Sequence, residues 1–240
     1  MNETLFQQVR DFLDPIYANK PSFSNRPFVT LTFAQSLDGK IAKQNQQVLI
    51  SGKESMAMTH YLRTLHDGIL IGIGTALVDN PQLNARYVSC TKRQPQPIVL
   101  DPFLKLELDC KLVTNYQQGI GKQPWLIVSE KGCQASPEKK VKLENAGVKL
   151  VCVPTRTDRI PLEHVLEVLK QEGIHTLMIE GGSRIIQSCL KNEWDQLIVT
   201  IGPMFIGSNG VSAITDNDMV QLDHVQYQTM GKDIVMTATK

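Results

Sequence analysis

The feature that most constrains this chain is a pair of apolar, strand-length runs that each stop at glycine. Ile69-Leu-Ile-Gly-Ile-Gly-Thr75 passes at once into Ala76-Leu-Val-Asp79-Asn80-Pro81, and Leu177-Met-Ile-Glu180-Gly181-Gly182-Ser183-Arg184 breaks in the same way. Bulk and charge vanish where a backbone must come close to something. A helix opening behind such a break offers unpaired amides and the positive end of its dipole, which attract phosphate. Either break alone reads equally as a tight strand-to-helix turn. Together they point to one phosphate-bearing ligand held between two corners, hence to a nucleotide-cofactor enzyme rather than an interaction module. Neither break spells GxGxxG, which argues against a standard dinucleotide-binding domain.

Around these corners the pattern alternates. Phe28–Phe33, Ile69–Ile73, Ile98–Leu100, Trp125–Val128, Val148–Val153 and Thr176–Ile179 read as buried strands. Between them, Met58, Tyr61, Leu62 and Leu65 mark one helical face, Glu138–Asn145 a polar helix, and Leu162, Val165, Leu166 and Leu169 a clean apolar stripe behind Pro161. Ser51 is expected to cap the first of these helices through a capping box with Glu54, and Ser183 to cap a helix bearing Ile185, Ile186, Cys189 and Leu190. Leu197–Ile201 and Asp233–Ala238 read as late strands, the latter paired with Gln226–Gln228 across a turn at Met230–Lys232. Strands alternating with helices predict an α/β fold: a mixed, mostly parallel central sheet with helices on both faces and a C-terminal antiparallel hairpin. Leu5, Val9, Phe12, Leu13 and Ile16 predict a leader helix, so residues 1–25 are read as leader and linker and 26–240 as one domain. Ser89–Gln96 is read as a surface excursion.

Composition excludes several classes. A net charge of +1 over 240 residues gives no global field for nucleic acid or anionic membrane, and aromatic residues are only 6%. No apolar run approaches the roughly 20 residues that span a bilayer. The N-terminus, with Glu3, Asp11 and Asp14, lacks a targeting pattern, so a cytoplasmic protein is expected. The five cysteines (Cys90, Cys110, Cys133, Cys152, Cys189) form no CxxC pair and read as reduced thiols; the five histidines are scattered, and no metal site is expected.

Five further positions carry chemistry. Asp38 and Lys40 follow the first strand, where a Gly39 turn sets them at the sheet's ligand edge or simply closes an Asp-Gly turn. Arg63 and Arg86 suit phosphate through guanidinium forks, or are solvated. Glu180 ends an apolar strand, where it accepts from an amide-rich ring or caps the neighbouring turn.

Gln35-Ser-Leu-Asp-Gly-Lys40, Gly72-Ile-Gly-Thr75 with Asp79-Asn-Pro-Gln-Leu-Asn84, Glu180-Gly-Gly182 and Gly202-Pro-Met-Phe-Ile-Gly207 occur in that order. From about Arg26 onward the chain thereby resembles the riboflavin-pathway reductases that act on 2,5-diamino-6-ribosylamino-pyrimidinone 5′-phosphate, in their stand-alone form. The resemblance implies a dihydrofolate-reductase-like fold, a cytoplasmic homodimer, and NADPH (or NADH) as hydride source for a pyrimidine ribosyl phosphate. It implies that Thr75, Asp79, Ile160, Gly181, Gly182, Ser183, Arg184 and Ile185 contact the cofactor. It also implies that Arg63, Leu83, Arg86 and Glu180 contact substrate, with Asp38 near the ribose. Asp38 and Lys40 are the expected catalytic pair. Where bacterial relatives carry a tryptophan, this chain has Gln47-Val-Leu-Ile50. Another pteridine- or folate-like reductase, and a non-catalytic nucleotide-binding protein, are the alternative readings.

Overall fold

The computed structural model describes residues 2–44, 46, 48–88, 93–155, 159–215 and 219–240. Residues 89–92 of the expected Ser89–Gln96 excursion, with Cys90, and Gln47 lie outside the described residues. A nine-stranded sheet forms the centre, ordered β10-β11-β8-β1-β7-β3-β4-β5-β6. Its parallel part comprises β1 (Phe28–Ser36), β3 (Gly68–Gly72), β4 (Gln96–Leu100), β5 (Trp125–Ser129), β6 (Lys149–Val153), β7 (Thr176–Gly181) and β8 (Gln196–Gly202). The hairpin β10 (Asp223–Met230) and β11 (Asp233–Thr239) adds antiparallel to β8. A separate ribbon pairs β2 (Lys40–Lys43) with β9 (Gly210–Ser212).

Strand side chains alternate, so each strand feeds two cores. Ile69, Ile71, Val99, Leu126, Val128 and Met178 face one core. Helices α1 (Glu3–Ala18), α2 (Lys53–Thr64), α4 (Lys111–Gln117) and α6 (Pro137–Asn145) cover it, and α3 (Ile73–Asp79) contributes Ala76. Leu70, Ile98, Ile127, Leu177 and Ile179 face the other, under α7 (Leu162–Gln171) and α8 (Ser183–Asn192). The short α5 (Glu130–Ala135) follows β5. The mixed, mostly parallel sheet with helices on both faces and a terminal hairpin is the architecture expected from sequence.

The leader helix is built into this core. Val9 and Leu13 are fully buried against α2, and the Tyr17 hydroxyl bonds Thr30 Oγ1 on β1 at 2.9 Å. Each such aliphatic side chain contributes about 1.5–3 kcal/mol on burial.

Local expectations fail at three helix ends. Gly52, not Ser51, precedes α2; the capping box is replaced by buried Asp233 on the hairpin, which accepts from Gly52 N at 2.7 Å and from Ser55 Oγ. Gly182, not Ser183, precedes α8, and Pro161 precedes α7 rather than entering its first turn. A long-range carboxylate does at α2 what local capping does elsewhere, while α8 opens behind a positive-φ glycine with no side-chain cap. The strand expected to run through Ile73 ends at Gly72, and the chain turns directly into α3.

Candidate active site

The two glycine-ended strands are neighbours. β3 pairs with β7, and the register shifts between Leu70 (opposite Ile179) and Ile71 (opposite Gly181), leaving Glu180 as the extra residue of a bulge. A bulge re-aims its side chain. Gly182 has φ +65°, and a Cβ added there would meet Thr75 Oγ1 at 3.1 Å. The two corners therefore lie against each other, and a side chain at 182 would crowd Thr75 on a backbone whose positive φ already favours glycine.

A cavity of about 1650 Å³ opens here, at the C-terminal ends of β1, β3, β4 and β7. It exceeds the several hundred Å³ that hold one small ligand, leaving room for two side by side. This is where open α/β sheets bind ligands, at the point where successive connections diverge. Thr75, Asp79, Ile160, Gly181, Gly182, Ser183, Arg184 and Ile185 line it, as do Arg63, Arg86 and Glu180. Gly182 O accepts from Ile185 N at 2.9 Å and Ile186 N at 3.0 Å, so α8 starts at the cavity wall with its first amides turned to it.

Glu180 is gripped from α2 by Arg63. Arg63 Nε donates to Oε1 at 2.6 Å and Nη2 to Oε2 at 2.7 Å, while Nη1 donates to Asn84 O at 2.9 Å. The arginine expected to grip phosphate is instead spent on a carboxylate and a loop carbonyl. Arg86 is the freer cation: exposed, it donates to Gln82 Oε1 at 3.0 Å and Asn84 Oδ1 at 2.6 Å from one terminal nitrogen. Asp79, at the end of α3, is half-buried, and burial raises its pKa.

Asp38 and Lys40 are not on the cavity wall. Asp38 accepts from Ser36 Oγ at 2.5 Å, Ile206 N at 3.0 Å and Gly207 N at 2.7 Å, tying the β1 exit to the Gly202–Gly207 turn. The Ser36 hydroxyl, then the Ile206 amide, pull its pKa down to about 2. With its pKa held that low, the carboxylate has no proton to give near neutral pH, and three donors already occupy it. Lys40 Nζ donates to Ser212 Oγ at 2.8 Å across the β2–β9 ribbon. Leu83, expected at the substrate, has φ +47° and is 2% exposed; its side chain anchors the loop in the core.

Sequence reasoning passed over His60, which lines the cavity from α2. Its signal was weak: one histidine among five, on a helical face shared with apolar residues. Lys105, Lys111 and Arg159 also line the cavity, near the end of β4 and ahead of α7. Among the described residues, no group of three or more metal-ligating side chains occurs and no helix is long and apolar enough to cross a membrane.

Comparison with known proteins places these observations. Residues 27–236 match the family described as the RibD C-terminal domain. The chain is 39% identical to the 2,5-diamino-6-ribosylamino-4(3H)-pyrimidinone 5′-phosphate reductase of Candida glabrata, over 95% of this chain and 97% of that protein. The solved riboflavin biosynthesis reductase of Saccharomyces cerevisiae superposes with a TM-score of 0.79 at 32% identity, covering 99% of both chains. Riboflavin biosynthesis protein RibD of Aquifex aeolicus is 32% identical over 88% of this chain, which spans 57% of that longer protein.

Proposed function

The chain belongs to the RibD C-terminal domain family, and from that premise we propose that it is an NADPH-dependent reductase of riboflavin biosynthesis. It converts the ribosylamino side chain of 2,5-diamino-6-ribosylamino-4(3H)-pyrimidinone 5′-phosphate to the ribitylamino product. The observation that carries this reading is the contact between the two glycine corners beneath one cavity with room for two ligands.

The nicotinamide cofactor, when bound, supplies the hydride. The residues fit such a group. Thr75 and the Gly181–Gly182 backbone leave space for a diphosphate, and Ser183, Arg184 and Ile185 open α8 beside it, a helix N-terminus whose dipole favours phosphate. Ile160 adds an apolar wall. Lys105, Lys111 and Arg159 add positive charge to the same cavity, a balance that favours NADPH, with its extra phosphate, over NADH.

The chain's remaining task is orientation and charge. The sugar ring of the substrate opens to an imine before reduction, and carboxylates near it favour the protonated, more electrophilic form. Glu180, held rigid by Arg63, recognises the amino groups of the pyrimidine, and Arg86 takes the 5′-phosphate. Asp79, desolvated and on the cavity wall, replaces Asp38 as the candidate proton donor. Lys40 ties the β2–β9 ribbon together through Ser212, and Leu83 anchors the loop that carries Arg86. The exposed Tyr227 on the edge strand β10 and Ile234 on β11, with Phe205 after β8, form the seam of a homodimer.

Titration of the purified protein with NADPH and NADH, followed by optical assay of cofactor oxidation with the ribosylamino-pyrimidine phosphate, tests the reading. Cofactor binding without turnover on that substrate overturns it.

A further inference from the structure

The loop carrying Arg86 has an unusual support. Among the described residues, no backbone–backbone hydrogen bond holds residues 81–88. Three side chains hold its backbone instead, two from α2 and one from the far end of the same α3–β4 connection. Arg63 Nη1 donates to Asn84 O at 2.9 Å. Gln94 pairs with Ala85 from both ends of its amide, Oε1 accepting from Ala85 N and Nε2 donating to Ala85 O, each at 2.9 Å. His60 Nδ1 accepts from Arg86 N at 3.1 Å, and its ring meets Tyr87 edge-on with centroids 4.6 Å apart.

We infer that His60, with Gln94 as its partner, is a positioning residue that presents Arg86 to the anionic end of the substrate. The inference rests on the assignment of Arg86 to the substrate phosphate, and deepens it. His60 is 3% exposed and sits on the same helix as Arg63, one turn before it. One rigid element thus sets both the Arg63–Glu180 fork and the Arg86 backbone. Only an acceptor serves at the ring position facing the Arg86 amide, so the ring's proton resides on Nε2. Burial, reinforced by the cationic Arg63 and Arg86 nearby, holds the ring neutral and keeps that acceptor available, with a pKa pushed down to about 3. Without it, a backbone amide is left unpaired, at about 1–3 kcal/mol, and the Arg86 backbone loses the side chain that anchors it.

The test compares His60→Asn with His60→Leu. Asparagine Oδ1 stands close to the place of Nδ1 and keeps the acceptor; leucine removes it. In His60→Leu the KM for the ribosylamino-pyrimidine phosphate is expected to rise about tenfold, while kcat and the KM for NADPH stay within about threefold; His60→Asn restores most of the lost affinity. Gln94→Leu is expected to show the same split, and stands in if His60→Leu does not fold. Hydrogen exchange supplies a readout independent of turnover: the Ala85 and Arg86 amides are protected in the natural protein and in His60→Asn, and Arg86 exchanges freely in His60→Leu. A wild-type protein that fails to turn the pyrimidine over while these amides follow that pattern refutes the substrate reading and leaves the clamp standing. Unchanged KM in folded His60→Leu, or rapid exchange at Arg86 in the natural protein, overturns the clamp.

Discussion

Arg63 and Glu180, 117 residues apart in the chain, meet fork to fork: Nε to Oε1 at 2.6 Å and Nη2 to Oε2 at 2.7 Å, with side chains only 12% and 15% exposed. Bidentate pairing of this kind fixes direction as well as charge. Arg63→Lys keeps the charge and loses the fork, because an ammonium is a point donor. We expect kcat/KM to fall by roughly 30- to 100-fold, about 2–3 kcal/mol of transition-state binding. Steady-state kinetics check this beside urea unfolding, since a loss of stability alone does not lower kcat/KM of the folded fraction.

Gly182 lies at φ +65° with Thr75 Oγ1 in the way of any side chain. Gly182→Ala is therefore both strained, by about 1–2 kcal/mol, and intrusive at the corner assigned to the diphosphate. NADPH is expected to bind at least about tenfold more weakly, measured by fluorescence titration. An alanine variant that binds the cofactor as the natural protein does removes the diphosphate from this corner.

Asp79→Asn distinguishes a proton donor from a cofactor contact. Amide for carboxyl keeps the shape and removes the transferable proton. Turnover is expected to drop on the order of 100-fold or more, with NADPH affinity within a few-fold of wild type. The reverse pattern returns Asp79 to the cofactor.

Asp38→Asn has a different expectation, because its carboxylate organises a turn. The amides of Ile206 and Gly207, which donate to it, should exchange faster in the variant, with kcat within about threefold of wild type. The pH behaviour follows from the lowered pKa. With a folded value near 2 and an ordinary value of 3.8, Asp38 stabilises the fold fully above about pH 4 and loses that contribution as pH falls towards 2.

Acid sensitivity should begin well above that range. Burial lowers His60 to about 3 and His66 to about 4, against an ordinary 6.5. The unfolded chain takes up protons below pH 6.5 that the folded chain refuses. Stability is therefore fully present above about 6.5 and declines as pH falls towards 4, by up to about 1.4 kcal/mol per pH unit for each histidine. Urea midpoints at pH 7 and pH 5 test this: His60→Asn should flatten the slope, and an equal slope in the variant counts against His60 as a source.

The apolar strands were legible in the sequence because burial on both faces demands an uninterrupted run, as in Ile69–Ile71, Leu126–Val128 and Leu177–Ile179. The helical stripe of α7 was legible for the same reason, with a period of 3.6. By contrast β2, β9, α3, α4 and α5 are short and of mixed composition, and partners distant in the chain define them. The helix starts at Gly52 and Gly182 escaped local rules because Asp233, from the far end of the chain, serves the first and the second opens behind a left-handed glycine without a side-chain cap.

The amino-acid order by itself determined that two strands end in bare backbone, and with them the expectation of a phosphate-bearing ligand; that follows from composition at single positions. Only the folded arrangement decided which charged groups face that ligand. It turned Asp38 into a turn-former, spent Arg63 on Glu180, and brought His60 under Arg86. The physical reason is that a strand or a glycine corner is a property of neighbours in sequence, whereas a hydrogen-bond partner is whatever group the packing delivers within about 3 Å.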